Sequence, residues 1–394
     1  MSQTSVGYDW EKLEASASQP VMITDNDTLA RYCEQWQKLP LVALDTEFQR
    51  VETFYPIPGL IQLADDEHCY LIDPLRITDF EPLKALFSNP KVLKVLHAAT
   101  EDLELFQNTL GVLPTPLFDT QVAAAMLNWG FSMGLQRIVQ HVLDIEIEKQ
   151  ETTSNWLKRP LTAAQERYAA LDVAYLPAIC QQQQAELSER GMLEWLQQES
   201  DAMLAQAIDE DPEGHHYYKR FTQMWTLPPH KVAALRDLTA WREQTCRLRD
   251  VPRNRILRNQ ALLEIVNQWP RSVYDLSRVD DIKRGIVRSD GKQILSFLQN
   301  AQTSADNQPP EPIQRPLPFF WNKPLKKLKA LVREVATELD VAPEIMLRKK
   351  ELDALIRSGL DDKNYRMPDN VTAWRRDAVG AKLLAALDEI GKQH

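Results

Sequence analysis

The feature that most constrains the fold is an internal duplication near the end of this 394-residue chain. At an offset of 90 residues the second copy repeats short phrases of the first: Asp250-Val251 as Asp340-Val341, Leu257-Arg258 as Leu347-Arg348, and Leu262 as Leu352. Each copy opens with a long stretch, 229–248 and 324–339, in which apolar residues recur at helical spacing. The duplication predicts two all-α helical bundles, over 216–300 and 319–394.

Before the bundles, strand-like and helix-like segments alternate. Apolar runs predict strands at 41–48, 60–64, 69–73 and 92–96, and helical patterns cover 80–88, a segment starting at Thr100, 119–128, 133–143 and 162–187. This alternation is typical of an α/β domain with a mixed sheet flanked by helices, here over residues 1–210. An acidic break at 209–214 ends the domain, and the prolines within 301–318 predict a linker between the bundles.

Charge is distributed unevenly between these parts. Residues 1–214 carry 14 Lys+Arg and 34 Asp+Glu, whereas residues 215–394 carry 32 and 22. A basic back part favours contact with a polyanion, although ordinary solvated surfaces would give the same imbalance.

Several classes of protein are excluded by composition. No segment approaches the roughly 18 consecutive apolar residues of a membrane span, and the first residues lack the basic and then apolar start of a signal peptide. We therefore expect a cytoplasmic protein with no membrane partner. The four cysteines lie far apart without a CxxC pair, which argues against a zinc site or a disulfide framework and predicts reduced core thiols.

Two carboxylates lie in the first predicted strand. Asp45 and Glu47 are two residues apart, so their side chains project from the same face of the strand. Carboxylates at the end of an apolar strand must be neutralised, and hard cations such as Mg²⁺ and Mn²⁺ take oxygen ligands. The same spacing recurs at Asp144 and Glu146 in a less apolar context, so the spacing alone is a weak signal.

Two later segments carry further acidic residues. Asp102 lies in the first turn of the helix that follows strand 92–96, with Thr100 as its expected cap, and it can equally complement the helix dipole. Asp172 lies on an apolar helix and is expected to be buried, with Tyr168 one turn before it on the same face. Tyr168 can equally be a core aromatic. Together these residues predict an all-oxygen site suited to two metals ~3.5–4 Å apart and to phosphodiester hydrolysis.

At these residues the sequence closely resembles the DEDD exonuclease superfamily in its tyrosine form, and within it the ribonuclease D family. The matching motifs, in order, are Asp45-Thr46-Glu47-Phe48, His97 to Asp102, and Tyr168 to Asp172, with flanking phrases at Phe118-Asp119-Thr120-Gln121 and Trp156 to Leu161. The duplicated helical units resemble two HRDC domains. The resemblance covers nearly the whole chain.

This resemblance implies a ribonuclease H-like fold and metal-dependent 3′→5′ removal of single nucleotides, as 5′-monophosphates, from RNA 3′ ends. The implied substrates are transfer-RNA precursors and small stable RNAs, with no obligate protein partner. By motif position, Asp45, Glu47 and Asp172 would hold the Mg²⁺ or Mn²⁺ ion that activates water. Asp45 would also bridge to a second ion supported by Asp102, and Tyr168 would orient the attacking water.

Substrate contacts are expected from aromatic, amide and basic side chains near these motifs. The predicted set is Phe48, Gln62, His97, Trp156 and Arg159, each of which could equally serve packing. Basic patches at 247–249, 253–255 and 326–329 are predicted to grip the RNA backbone without reading its sequence.

Three other interpretations use the same residues. A DNA exonuclease would need the same carboxylates, because only contacts to the 2′-hydroxyl distinguish RNA. A non-catalytic RNA-binding scaffold would use the helical bundles alone, but it would not need to keep costly buried carboxylates. A metal-dependent phosphatase would give no reason for two basic helical units.

Overall fold

The computed structural model describes residues 8–147 and 154–393. Within these ranges the chain forms two compact units. The first combines residues 8–49, 57–208 and 319–393, and the second combines 50–56 with 209–318.

A six-stranded mixed sheet lies at the centre of the first unit. Its strands are β1 (Val21–Ile23), β2 (Leu41–Gln49), β3 (Ile57–Ala64), β4 (Cys69–Ile72), β5 (Leu93–Leu96) and β6 (Leu117–Asp119). Their spatial order is β1-β4-β3-β2-β5-β6, in which β3 pairs antiparallel with β2 and β4 and the other neighbours are parallel. The first four residues of β2 are at most 5% exposed, as expected for a strand with a neighbour on each side.

Nine helices of the described chain accompany this sheet. They are α1 (Trp10–Ser16), α2 (Asn26–Trp36), α3 (Glu81–Ser88), α4 (Thr100–Leu110), α5 (Thr120–Met126), α6 (Leu135–Leu143), α7 (Ala163–Ala174), α8 (Leu176–Glu189) and α9 (Leu193–Gln206). Apolar residues of α2, α3 and α4 share one buried core with the sheet. The predicted mixed α/β sheet domain is confirmed.

Some elements differ from the sequence-based expectation. β1 and β6 were not predicted, because three residues are too few to show alternation. The single helix expected over 162–187 is instead two helices that meet at Tyr175. Pro177 lies in the first turn of α8, where its missing N–H is tolerated, and it cannot continue a helix from α7.

The second unit is helical. Its helices are α10 (Pro229–Arg249), α11 (Arg253–Ile256), α12 (Asn259–Gln268), α13 (Val273–Leu276), α14 (Arg284–Gln299) and α15 (Ala301–Asn307), preceded by 3-10 turns at Tyr217–Arg220 and Thr222–Met224. Helix α15 occupies the start of the segment predicted as a linker. It packs as a helix because Ala301 and Ala305 are buried and the Ser304 hydroxyl donates to Asp237 Oδ2 at 2.6 Å.

The last helical segment belongs to the first unit. It contains a 3-10 turn at Phe319–Trp321, α16 (Asn322–Leu339), α17 (Pro343–Met346), α18 (Lys349–Ser358), α19 (Ala373–Arg375), a π turn at Arg376–Gly380, and α20 (Ala381–Gln393). Helices α11 and α12 recur as α17 and α18 at an offset of 90 residues. Asp250 and Asp340, which end α10 and α16, both adopt left-handed backbone conformations.

This last segment contacts α9 and the residues that follow α5. Trp374 stacks on Trp195 with ring centroids 4.9 Å apart, and Arg375 forms an ion pair with Glu199 at 3.0 Å. The Asn128 side-chain amide donates to Asp340 at 2.8 Å. The second helical copy is thus packed into the unit that contains the sheet.

The structure also bears on the predictions for the cysteines and for membrane-spanning segments. All four cysteines are buried and free, which confirms the reduced core thiols. Within residues 8–393, leaving out 148–153, no helix is long and apolar enough to cross a membrane.

Candidate active site

Strand β2 presents two carboxylates beside its neighbour β3. Asp45 pairs in register with Gln62, whose side-chain Nε2 lies 3.5 Å from Asp45 Oδ2. The register shifts between Glu47 and Phe48, which is the mark of a β-bulge. Asp45 and Glu47 are half-buried while Thr46 between them is buried, so both carboxylates face the same side, as the spacing predicts.

Asp102 reaches the site from the first turn of α4. It is 6% exposed, and Oδ1 accepts a very short hydrogen bond from the Thr46 hydroxyl. The expected cap was wrong: Thr100 is already helical, and Ala99 takes the N-cap position without a side-chain hydrogen bond.

The turn before α4 is held by Asp119 instead. Ala98 has a left-handed backbone (φ 59°), which is strained for a residue other than glycine. Asp119 Oδ1 accepts the Ala98 N–H at 3.3 Å and Oδ2 accepts the Ala99 N–H at 2.8 Å. The same carboxylate caps α5, and this double role fixes where α4 begins.

Tyr168 and Asp172 lie one turn apart on α7, close enough for the Asp172 carboxylate to help raise the pKa of the tyrosine. A capping box between Thr162 and Gln165 sets the start of this helix. Asp172 is half-buried rather than enclosed, because its side of the helix faces the other carboxylates.

Burial raises the pKa values of all four carboxyl groups, and neighbouring carboxylates of the site raise those of Asp45 and Glu47 further. Burial, followed by the charges of Asp172 and Asp102, raises the pKa of Glu47 to about 8. Burial raises the pKa of Asp102 to about 7 and that of Asp172 to about 7, against the lowering effect of the Thr46 and Tyr168 hydroxyls. The pKa of Asp45 is raised well above its ordinary value by burial and then by its three carboxylate neighbours.

The donor set is that of a hard divalent cation. Mg²⁺ and Mn²⁺ prefer carboxylate oxygens, and a cation replaces the protons that such a cluster otherwise retains. Among the residues that the structure describes, no three Asp, Glu, His or Cys side chains already stand around one point at coordinating distance. Side-chain rotations within this set of four carboxylates would therefore accompany cation binding.

Two of the predicted substrate contacts are internal. Gln62 is fully buried and faces Asp45, so it supports that carboxylate instead of reaching a nucleotide. His97 Nδ1 lies 2.8 Å from the Thr120 hydroxyl, whose own proton goes to the Leu96 carbonyl. His97 Nδ1 must therefore carry the proton, and Nε2 is buried without a partner. Burial also lowers the pKa of His97.

Arg159 is likewise committed to the protein itself. Its guanidinium holds both carboxylate oxygens of Asp73 at 2.7 Å and donates to the carbonyls of Gly59, Trp156 and Lys158. All five N–H groups have acceptors within the protein, so Arg159 holds the segment after residue 154 against β3 and Asp73. Its contact with RNA stays a prediction.

The hydrogen bonds of Arg159 place Trp156 beside Tyr168. The two ring centroids are 6.1 Å apart, and Trp156 is 4% exposed. A Cβ at Gly59 would lie 2.7 Å from Trp156 Cβ, so only glycine permits this approach. Trp156 therefore supports Tyr168 and offers almost no face for base stacking, whereas Phe48 remains half-buried next to the bulge.

Sequence reasoning gave no role to Asp73, Thr46 or Asp119. Asp119 carried a usable signal, because an aspartate between a short apolar run and a Thr-Gln pair is a typical helix cap. The Thr46 bond to Asp102 and the Asp73 bond to Arg159 join residues 56 and 86 positions apart, and no local pattern reveals such pairs.

Comparisons with known proteins agree with this arrangement. A family model described as a 3′-5′ exonuclease matches residues 20–188, and an HRDC domain model matches residues 232–298. Ribonuclease D of Pseudomonas paraeruginosa is 43% identical over 367 residues, which cover 93% of this chain and 97% of that protein. Ribonuclease D of Escherichia coli K12 is 34% identical over 372 residues, covering 93% and 98%.

A solved structure extends the similarity to three dimensions. The crystal structure of Escherichia coli RNase D, described as an exoribonuclease involved in structured RNA processing, aligns with a TM-score of 0.87 at 34% identity. The alignment covers 94% of this chain and 99% of that one.

Proposed function

This chain belongs to the ribonuclease D family of hydrolytic 3′–5′ exoribonucleases, and from that premise we propose that it removes single nucleotides from single-stranded RNA 3′ ends by two-metal-ion catalysis. The observation that carries this proposal is the set of four carboxyl groups whose pKa values are all raised, with Tyr168 one turn before Asp172 on the same helix. The substrates we propose are transfer-RNA precursors and other small stable RNAs.

In this proposal each carboxylate has a defined task. Asp45, Glu47 and Asp172 would hold one divalent ion, and Asp45 with Asp102 would hold the other. Bound there, such ions supply activation of water and stabilisation of the leaving 3′ oxygen. Gln62 donates to Asp45 and Thr46 donates to Asp102, so each of these aspartates keeps one oxygen oriented by the protein.

Tyr168 acts as a hydrogen-bond donor in this proposal. Burial and then the charges of Asp172 and Glu47 raise its pKa above the ordinary value, so the phenol stays protonated near neutral pH. A protonated hydroxyl can orient the attacking water, but it cannot remove a proton from it. Trp156 packs beside the ring and limits its movement.

The proposed activity is tested with a 5′-labelled RNA that has a free single-stranded 3′ end, incubated with Mg²⁺ or Mn²⁺ and resolved on a sequencing gel. We expect a ladder of single-nucleotide steps from the 3′ end, abolished by a chelator and by Asp45→Asn. Asp144→Asn is the matched control, because Asp144 has the same spacing to Glu146 but is exposed at the end of α6.

The same experiment separates the alternatives. A DNA oligomer of the same sequence, degraded at an equal rate, would favour the DNA exonuclease. Intact RNA that still binds the protein would contradict the proposed hydrolysis and favour the scaffold. A ladder that persists in Asp45→Asn would exclude the carboxylate cluster as the active site.

A further inference from the structure

The connection between two strands of the active site belongs to the second, helical unit. Residues 50–56 join β2, which carries Asp45 and Glu47, to β3, which carries Gln62. This seven-residue segment forms part of the compact unit that otherwise comprises residues 209–318. Its contacts within that unit are specific, and they involve apolar, backbone and charged groups.

Phe54 provides the apolar contact. It is 7% exposed and belongs to the core cluster of the helical unit. The guanidinium carbons of Arg247 and Arg253 lie 4.7 and 4.9 Å from the centre of its ring. Both arginines form ion pairs with Glu243, which is 1% exposed, so a buried carboxylate fixes the cations that hold the ring.

Asp250 provides the backbone contact. Its Oδ1 accepts the N–H of Phe54 at 3.0 Å and the N–H of Tyr55 at 3.1 Å. Asp250 ends α10 in a left-handed conformation (φ 45°, ψ 54°). Hydrogen bonds to an ionised acceptor are stronger than neutral ones, so this one oxygen fixes two consecutive peptide groups of the connection.

The rest of the segment is also constrained. Glu52 forms an ion pair with Arg255. Inside the segment, Arg50 Nε donates to the Phe54 carbonyl at 3.0 Å, and the Thr53 hydroxyl donates to the Tyr55 carbonyl at 2.6 Å. The connection is therefore held from residue 50 to residue 55 and leaves little slack before the bulge at Glu47 and Phe48.

We propose that Asp250 is a positioning residue for the exonuclease reaction, because it fixes the β2–β3 connection and thereby the end of β2 that carries Glu47 and Phe48. This inference rests on the proposed function. Asp250 touches no reacting group. It acts through the chain: a shift of Phe54 and Tyr55 would be transmitted along the ladder pairs Gln49 with Ile57 and Phe48 with Pro58.

The duplication supplies a matched control. Asp340 occupies the equivalent position at the end of α16, with a nearly identical left-handed backbone (φ 52°, ψ 52°). Its carboxylate accepts from the Asn128 amide and pairs with Arg190, and neither belongs to the hairpin. Each substitution removes a carboxylate from an equivalent left-handed helix end, but only the Asp250 carboxylate holds the β2–β3 connection.

The test compares three full-length variants with the unmodified chain on a short single-stranded RNA oligomer. Glycine is used for removal because it adopts the left-handed backbone without strain. We expect Asp250→Gly to lower kcat about tenfold while KM stays within about twofold, because small misplacements of catalytic groups reduce the rate strongly. We expect Asp250→Asn to restore kcat, since the amide oxygen can accept both N–H groups and asparagine tolerates this backbone. Asp340→Gly should match the unmodified chain.

An unchanged kcat in Asp250→Gly would overturn the inference, and so would an equal loss in Asp340→Gly, which would indicate general destabilisation. An unmodified chain that cleaves no RNA would instead contradict the proposed function. In that case, amide hydrogen exchange still tests whether Asp250 positions the end of β2. We expect faster amide exchange in Asp250→Gly at Phe54, Tyr55 and also Gln49, which lies at the end of β2. Faster exchange at Phe54 and Tyr55 alone would overturn the inference.

If Asp250→Gly fails to fold, Phe54→Leu removes the ring that lies beneath the two arginines while keeping Asp250. The same loss of kcat with unchanged KM is expected. A Phe54→Leu protein with full kcat and unchanged exchange at Gln49 would contradict the inference.

Discussion

The carboxylates of the candidate site oppose folding, although they enable catalysis in the proposed function. Glu47, Asp102 and Asp172 retain protons in the folded state to a higher pH than in the unfolded chain, because burial disfavours their ionised forms and, at Glu47, the charges of Asp172 and Asp102 add to this effect. Neutralising one of them should therefore stabilise the metal-free protein even as it removes a ligand.

This gives a pH prediction with a definite sign. The ordinary values are 3.8 for Asp and 4.5 for Glu, and the folded pKa values reach about 7 and about 8. The unfolded state loses these protons first, so the free energy of unfolding in chelator should fall as the pH rises from about 4 to about 8.

Denaturant unfolding of Asp172→Asn measures this effect. At pH 8 in chelator the variant should be more stable than the unmodified chain by on the order of 2 kcal/mol, and at pH 4 the difference should nearly vanish. Asp144→Asn, at the exposed end of α6, is the control for replacing an aspartate outside the carboxylate cluster. An equal gain at both pH values would contradict the electrostatic explanation.

Removing the Tyr168 hydroxyl should reduce catalysis without changing its pH dependence. We expect Tyr168→Phe to lower kcat about 10²-fold, a typical effect of losing a group that orients a reactant. Because the raised pKa keeps the phenol protonated, the ratio of variant to unmodified kcat should stay constant from pH 6 to 9. A ratio that rises or falls tenfold across this range would indicate that Tyr168 titrates during turnover.

At the scale of secondary structure, the turn between β5 and α4 depends on one carboxylate from the end of β6. Asp119 accepts backbone N–H groups from Ala98 and Ala99 on one side and from Gln121 and Val122 on the other. It is 1% exposed, so its loss would leave buried donors without partners.

We therefore expect Asp119→Ala to lower the free energy of unfolding by about 3 kcal/mol. It should also lower kcat, because the first turn of α4 carries Asp102. Asp25→Ala is the matched control, since Asp25 is an exposed cap of α2 that accepts one backbone N–H from Thr28. It should lower the free energy of unfolding by less than Asp119→Ala does and leave kcat unchanged. Equal losses in both variants would contradict the special role of Asp119.

At the scale of the whole molecule, the two helical copies are packed in different units. The second copy stacks Trp374 on Trp195 and pairs Arg375 with Glu199, inside the unit that contains the sheet. Deleting residues 216–394 would remove this packing together with the basic surface, so a truncation cannot isolate the effect of charge on RNA affinity. Point substitutions of surface lysines can.

Charge reversal on α16 should weaken binding of long RNA. We expect the double variant Lys326→Glu with Lys329→Glu to lower affinity and to reduce the slope of log K against log salt by about 1.4, because each of the two phosphate contacts contributes roughly 0.7 on single strands. The kcat on a short oligomer should not change. The control is Lys38→Glu with Lys91→Glu, which changes the net charge by the same amount but on the acidic part of the chain. An equal loss of RNA affinity in this control would exclude a specific role for α16.

Local patterns were sufficient for much of the fold. Leu41–Leu44 are uniformly apolar, so β2 could be predicted, and the 90-residue repeat predicted the equivalent helices α12 and α18. β1 and β6 were too short to be recognised. The break at Tyr175 was missed because the apolar pattern continues through Pro177 into α8.

The sequence by itself determined which residue types form the site, since Asp45, Glu47, Asp102, Tyr168 and Asp172 lie in strand and helix contexts that restrict where their side chains point. Only the tertiary structure decided which neighbours serve those residues. Arg159 meets Asp73 across 86 positions and Asp250 meets Phe54 across 196. Periodicity reports the face of an element, because it arises from repeated local geometry. Pairing between distant residues depends on how separate elements pack, and no local repeat encodes that.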